Sequence, residues 1–299
     1  MTAKNETSRT SLYAEVTARV IAELEKGRLP WVQPWDAAGC GCAMPANAMT
    51  GRRYSGINVL ILWSAGIGSG YSSQCWLTYR QAQAVGGNVR KGEKGTTICY
   101  ADRFRPRDEQ ERARDEHREA RQLAFLKCFT VFNIHQCEGL PERFTPEPEV
   151  LAVPESEPIP AAHALIEASG ADFRIGGGEA CYSPGRDYVT VPPQLAFHSR
   201  INWYRTVLHE LGHWTGHRSR LDRDQSGKFG SAACAREELV AEMASAFTCA
   251  SLSIRPTVRH ADYIGSWLAV LREDERAIFR AASAASKAAD YLLAFLPEA

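Results

Sequence analysis

What the chain lacks narrows its class before any motif is considered. No apolar run approaches the roughly 18 residues that cross a bilayer, and Met1 to Thr10 is polar, without the apolar core of a secretory signal. A membrane-spanning protein is thereby excluded, and a cytoplasmic location is expected. Nine cysteines in 299 residues do not make a disulfide scaffold, and the odd count leaves at least one thiol free. Cys40-Gly41-Cys42 is spaced too tightly for half of a C-x₂-C zinc knuckle and reads as a loop with thiols. Net charge is also missing, since 35 Lys and Arg stand against 35 Asp and Glu. No pair of carboxylates of the kind that holds two metals in a polymerase is apparent.

What is present is concentrated at His209-Glu210-Leu211-Gly212-His213, an H-E-x-x-H motif in a segment of helical character. At 3.6 residues per turn the two histidines stand one above the other on one helix face, so both imidazoles reach one divalent cation. Zn²⁺ is the expected ion, and Mn²⁺ suits the same donors. Glu210 falls beside the pair, placed to take a proton from an activated water instead of ligating. Metal-assisted hydrolysis is the first chemical reading.

A third ligand is needed, and Ala235 to Phe247 reads as a helix that supplies candidates. Leu239, Met243, Ala246 and Phe247 form its apolar stripe, and Glu238 and Glu242 share an adjoining face at i, i+4. Two carboxylates so close repel unless a cation lies beside them. One would ligate while the other accepts the free ring N–H of a ligand histidine. His217 is a rival, although a third imidazole at i+8 drifts about 80° around the axis. Gly216 could break the helix and restore it. His217 follows Gly216 directly, so the metzincin spacing H-E-x-x-H-x-x-G-x-x-H is not met. Asp222 is a further alternative. The pattern Glu238-Leu239-Val240-Ala241-Glu242 resembles the E-x-x-A-D helix of gluzincin-type metallopeptidases, and that resemblance selects Glu238, with Glu242 and His217 as outer-sphere or alternative groups.

Length favours two domains. Phe144 to Pro160 holds five prolines and four glutamates and forms neither a helix nor a central strand. It is read as a linker over 144–160 between domains at 1–143 and 161–299. The zero net charge hides an asymmetry: residues 1–143 carry 20 basic and 15 acidic side chains, residues 144–299 the reverse, 15 and 20. Within 51–107 there are nine basic and two acidic residues, which suits a polyanion.

The same half displays aromatics. Ser11 to Glu25 reads as an amphipathic helix, followed by Pro30-Trp31-Val32-Gln33-Pro34-Trp35, where prolines hold two indoles in extended backbone, a stacking platform for unpaired bases. Arg52, Arg53 and Tyr54 lie in a turn-rich loop. Thr78 caps a helix carrying Tyr79 and Arg80. Arg90, Lys91 and Lys94 lie on a glycine-rich hairpin tip that runs into a strand ending near Tyr100. Lys127 to Asn133 pairs with it, and Arg103 to Arg121 is a charge-dense excursion between them. In the other half, Ala161 to Ser169 is expected as a helix, Phe173–Ile175 and Asp187–Val191 as strands, and Ile201 to Gly216 as the metal helix. Tyr182, Tyr188, His198 and His260 are candidate transition-state donors, but for each a structural role is the favoured reading.

Pro30-Trp31…Pro34-Trp35, Thr50-Gly51-Arg52…Tyr54…Gly56-Ile57-Asn58, Trp76-Leu77-Thr78-Tyr79, Lys91-Gly92-Glu93-Lys94-Gly95 and Phe132-Asn133…Gln136…Glu138-Gly139-Leu140-Pro141 resemble, in this order, the amino-terminal domain of ArdC-type antirestriction proteins and the related domain of plasmid primases. The resemblance implies an α+β protein with an N-terminal single-stranded-DNA-binding domain and a C-terminal zincin-like domain of gluzincin type. It implies a plasmid-borne antirestriction role, incoming single-stranded DNA as partner and a host restriction-system protein as a further target. A DNA-protecting protein with a structural metal, or an accessory domain of a priming system, is the alternative.

Overall fold

The computed structural model describes residues 12–32, 43–104, 112–114, 123–144, 159–228, 230–254 and 263–297. Trp35, the Cys40-Gly41-Cys42 loop, His260 and most of the Pro/Glu-rich linker lie outside the described residues. The fold is α+β, and its compact units interleave in sequence. One unit comprises 1–45, 53–74 and 147–299, and the other 46–52 and 75–146. This departs from the division at residues 143 and 161 expected from the linker. The reason is apolar: the first two helices bury their stripes within the same unit as the metal helix.

In that first unit α1 (Leu12–Glu25) buries Val16, Val20 and Leu24, one face at helical spacing. Helix α2 (Ile57–Gly68) is apolar on most sides and buries Val59, Leu60, Leu62 and Trp63. In this unit α4 (Pro160–Ala168) starts on a proline, whose missing N–H is no loss at the first helical position. A three-stranded sheet follows in the order β7 (Asp172–Ile175), β9 (Tyr188–Val191), β8 (Cys181–Ser183), with β7 parallel and β8 antiparallel to the central strand. Strand β8 lies between the two expected strands in sequence, and it forms one edge. Alternation along β9 buries Val189 and Val191 in a core with Val207, Leu208 and Leu211 of α5 (Arg200–Trp214). Helix α6 (Ala232–Ser251) is buried almost throughout and is capped by Ser231, whose Oγ accepts from the Cys234 N–H. Two helices close this unit, α7 (Ile264–Glu273) and α8 (Ala277–Leu293), separated at Asp274.

The second unit holds a four-stranded sheet in the order β1 (Ala46–Asn47), β2 (Cys75–Thr78), β5 (Leu123–Asn133), β4 (Thr96–Phe104). Strand β3 (Asn88–Val89) pairs separately with β6 (Cys137–Glu138). Thr78 ends β2 and caps α3 (Tyr79–Ala84) in a reciprocal box with Gln81. Gln81 also bonds Asn47, whose side-chain oxygen accepts from the Thr50 N–H at 3.1 Å, so the loop ahead of Arg52 is fixed to α3. Gln136 acts similarly on the Lys91–Lys94 loop: its side chain donates to the Lys94 carbonyl at 2.9 Å and to Glu93 at 3.0 Å. Gly95 admits the close approach of β5, because a Cβ there would lie 2.3 Å from Thr130 Cγ2.

Candidate metal centre

Helices α5 and α6 run antiparallel across the centre, since His209 meets Glu242 and His213 meets Glu238. Gly212 lies at the crossing, where a Cβ would come 3.2 Å from the Ala241 carbonyl oxygen. Small residues on both helices bring the two chemical faces together. His209 Nε2 lies 3.5 Å from Glu238 Oε2, and His213 Nε2 lies 3.5 Å from Glu238 Oε1. One donor atom from each of these three residues falls within 4.8 Å of the others. A tetrahedral ion with bonds of about 2.0–2.1 Å needs neighbouring donors about 3.4 Å apart, so the residues fit a divalent cation.

The opposite ring edges are held by carboxylates. His209 Nδ1 faces Glu242 Oε1 at 3.6 Å, and His213 Nδ1 faces Glu237 Oε1 at 3.3 Å. Glu237 is anchored by Arg223 through Nη2 at 2.7 Å and Nε at 3.0 Å, and by Gln225 at 3.1 Å. These side chains orient the imidazoles so that both Nε2 atoms point at Glu238. Glu237, Arg223 and Gln225 escaped the sequence reading. The run Glu237-Glu238…Glu242 carried a hint, because near carboxylates on one helix repel unless cations lie beside them; the connecting loop carried none.

Electrostatics follow from this crowding. Burial works against the imidazolium of His213, but hydrogen bonds to Glu237 and Glu238 outweigh it and push its pKa up to about 10. His209 moves the same way, against burial, through Glu238 and Glu242. Partial burial of Glu238 opposes its ionisation, yet the two histidines hold it well below the usual carboxylate range. Glu237 is also lowered, with burial opposing and His213 and Arg223 prevailing. Glu210 is buried beside the histidines, 6% exposed. The Tyr263 phenol is pushed up to about 12 by burial first, then by Glu238, Cys234 and Glu210, so it keeps its proton at neutral pH.

His217 and Asp222 are not part of this set. His217 is turned to Ser219 Oγ at 2.8 Å and to Asp187 at 3.8 Å, because the chain leaves the helix at Trp214. Asp222 is exposed with positive φ. Asp187 binds Arg220 and accepts from the Tyr182 hydroxyl at 2.8 Å, and Arg220 caps the Trp214 carbonyl at 2.6 Å. This cluster joins the β8–β9 hairpin to the end of the metal helix. Tyr182 therefore has a structural partner.

The residues expected on nucleic acid divide. Trp31 presents no stacking face: it is fully buried and meets Trp267 edge-on, with centroids 5.6 Å apart. Tyr54 is also buried, at 6% exposure, and Arg53 belongs to the first unit, where it bonds Ser251 at 3.1 Å. Arg90 is paired with Glu93 at 2.9 Å. Arg52, Tyr79, Arg80, Lys91 and Lys94 are exposed on the second unit.

Comparison with known proteins also finds two parts, divided near residues 132–160. A model described as a zincin-like metallopeptidase matches residues 160–284, and one for the N-terminal domain of anti-restriction factor ArdC matches residues 10–132. The metal-free crystal structure of the antirestriction protein ArdC from plasmid R388 superposes with a TM-score of 0.81 at 40% identity, over 96% of this chain and 98% of that one. The chain belongs to the ArdC antirestriction family. The Mn(II)-bound ArdC structure matches with a TM-score of 0.79 at 39% identity over the same shares of the two chains. An uncharacterised protein, y4eC, of Sinorhizobium fredii is 42% identical over 288 residues, 95% of this chain and 92% of its own length. DNA primase TraC of Escherichia coli is 42% identical over 296 residues, but the chain spans only 27% of its length. No helix among the described residues is long and apolar enough to cross a membrane.

Proposed function

We propose that the protein is a cytoplasmic antirestriction factor that holds incoming single-stranded DNA on its second unit and carries a divalent-metal peptidase centre on its first. The observation that carries this reading is the convergence of His209, His213 and Glu238, with Glu210 next in chain to the first histidine. A divalent cation, Zn²⁺ or Mn²⁺, held by these three side chains would supply Lewis-acid polarisation of a peptide carbonyl and of water. Glu210 accepts the proton of the attacking water and returns it to the leaving amine. Glu237 and Glu242 keep the imidazoles oriented. Edge strand β8 offers backbone for an extended peptide, expected to come from a host restriction-system protein. Arg52, Tyr79, Arg80, Lys91 and Lys94 are the first candidates for the DNA strand.

A second reading keeps DNA protection and makes the metal structural. The exposure of Glu210, only 6%, favours it, because an attacking water and a peptide bond must reach this carboxylate. Similarity to part of TraC supports a third, a role beside a priming enzyme. Glu210→Gln separates the first two. Antirestriction lost while metal content and DNA binding persist supports the peptidase; antirestriction retained rules out peptide hydrolysis as its basis. Template-dependent primer synthesis by the purified chain would support the third.

A further inference from the structure

The second unit carries an aromatic patch outside the loops that drew attention in the sequence. Register places Tyr100 opposite Lys127, Ile98 opposite Phe129 and Thr96 opposite Val131, all on one face of the β4–β5 pair. Towards one end that face is covered: Ile98 and Val131 are 2% and 1% exposed. Towards the other it opens, with Tyr100 41% and Phe129 38% exposed. The two rings meet edge to face, centroids 5.7 Å apart and planes at 76°, an arrangement in which neither ring covers the other as a stacked pair would. Lys127 Nζ lies 5.3 Å from the Phe129 centroid. Arg52 is near enough to the Tyr100 phenol to oppose the upward push of burial on its pKa.

We propose that Tyr100 and Phe129 form a stacking site for unpaired bases of single-stranded DNA, with Lys127 and Arg52 beside them for the phosphates. The site deepens the DNA reading above and rests on it. Two properties select this occupant. The rings stand on paired strands, so little side-chain freedom is lost when a base stacks, whereas a duplex keeps its base faces to itself. Charge is complementary as well: Arg52, Arg80, Lys91, Lys94 and Lys127 are exposed on this unit, and Glu93 among its acids is already paired with Arg90. Trp31 cannot serve in their place, being buried.

The test compares a dye-labelled oligothymidylate with an abasic strand of equal length, by anisotropy, on the full chain. The abasic strand keeps the phosphates and lacks the bases. Wild type is expected to prefer oligothymidylate. Tyr100→Ala and Phe129→Ala should each weaken that binding roughly tenfold and leave the abasic strand unaffected. Phe129→Leu should do the same while keeping apolar bulk on the strand, which separates loss of stacking from loss of fold, checked by circular dichroism. Lys127→Gln should weaken both strands equally and reduce the salt slope by about 0.7. A wild type that binds no oligothymidylate overturns the DNA reading together with this site. Tight binding that survives both Tyr100→Ala and Phe129→Leu overturns the site alone and returns the patch to hairpin packing or another partner.

Discussion

Gly212→Ala perturbs the metal centre without touching a ligand. Its added Cβ would lie 3.2 Å from Ala241 O, 3.3 Å from Ala241 Cα and 3.6 Å from Ala241 Cβ, so α5 and α6 must part by a few tenths of an ångström. Alanine gains about 1 kcal/mol of helix propensity over glycine, and overpacking of this kind costs about 1–3 kcal/mol. The expected net is a loss of about 0–2 kcal/mol, the reverse of what an open helical site would give. Metal binding is the more sensitive readout. His209 and His213 stay on α5 while Glu238 moves with α6, and a donor set tolerates only about 0.2 Å of misplacement. A fall in Mn²⁺ or Zn²⁺ affinity of about tenfold is expected by calorimetric titration. The reasoning is refuted if the variant melts about 2–4 °C higher, the shift that 1 kcal/mol gives a domain of this size, with metal affinity unchanged.

Glu238→Ala should abolish metal loading, whereas Glu242→Ala should lower affinity about 10- to 100-fold, both read by elemental analysis after dialysis; equal retention would move the ligand assignment. Arg223→Met removes one partner of a largely buried pair with Glu237, side chains 11% and 10% exposed, and should lower stability by about 3 kcal/mol in urea unfolding; an unchanged midpoint would show the pair to be dispensable. For Asp187, the Arg220 hydrogen bond outweighs burial and holds the carboxyl below its ordinary 3.8. Its stabilising contribution is therefore complete above pH 3.8 and lost as pH falls through the lower folded-state value. Asn tolerates the positive φ at this position, so the stability gap between wild type and Asp187→Asn should be constant near neutrality and close in acid; a gap that widens in acid contradicts the assignment.

Local periodicity made much of this legible. His209 and His213 follow from the helical repeat, and the second helix was readable from its apolar stripe. The choice of Glu238 depended on resemblance, because Glu238 and Glu242 lie on one face and the antiparallel pairing that points Glu238 at both Nε2 atoms is a property of the crossing. Glu237 was hidden for the same reason, and Arg223 and Gln225 belong to a loop with no periodicity. Trp31 failed differently. Flanking prolines describe the backbone but not what covers the ring, and its cover, Trp267, is more than 200 residues away in sequence.

That distant cover bears on where the protein can be cut. The family models and the linker both divide the chain near residues 132–160, yet the contacts of the first unit cross that division. Trp63 meets Phe247 at 5.5 Å, Trp31 meets Trp267 at 5.6 Å, the Thr17 hydroxyl donates to the Glu275 carbonyl at 2.6 Å, and the Gly56 N–H donates to Ser286 Oγ at 2.7 Å. A fragment of residues 159–299 retains the three candidate metal ligands and loses all four contacts. Exposing a buried Phe and Trp forfeits about 4 kcal/mol each, at about 150 Å² and 25 cal/mol per Å², a large part of a margin of about 5–15 kcal/mol. The fragment should aggregate or be digested by trypsin faster than the full chain. A chain in which a flexible linker replaces residues 75–146 keeps 12–32 and 53–74, and should fold and load metal. If 159–299 alone unfolds cooperatively and binds metal as the full chain does, the amino-terminal helices belong to the other unit's function and the sequence boundary is also the physical one.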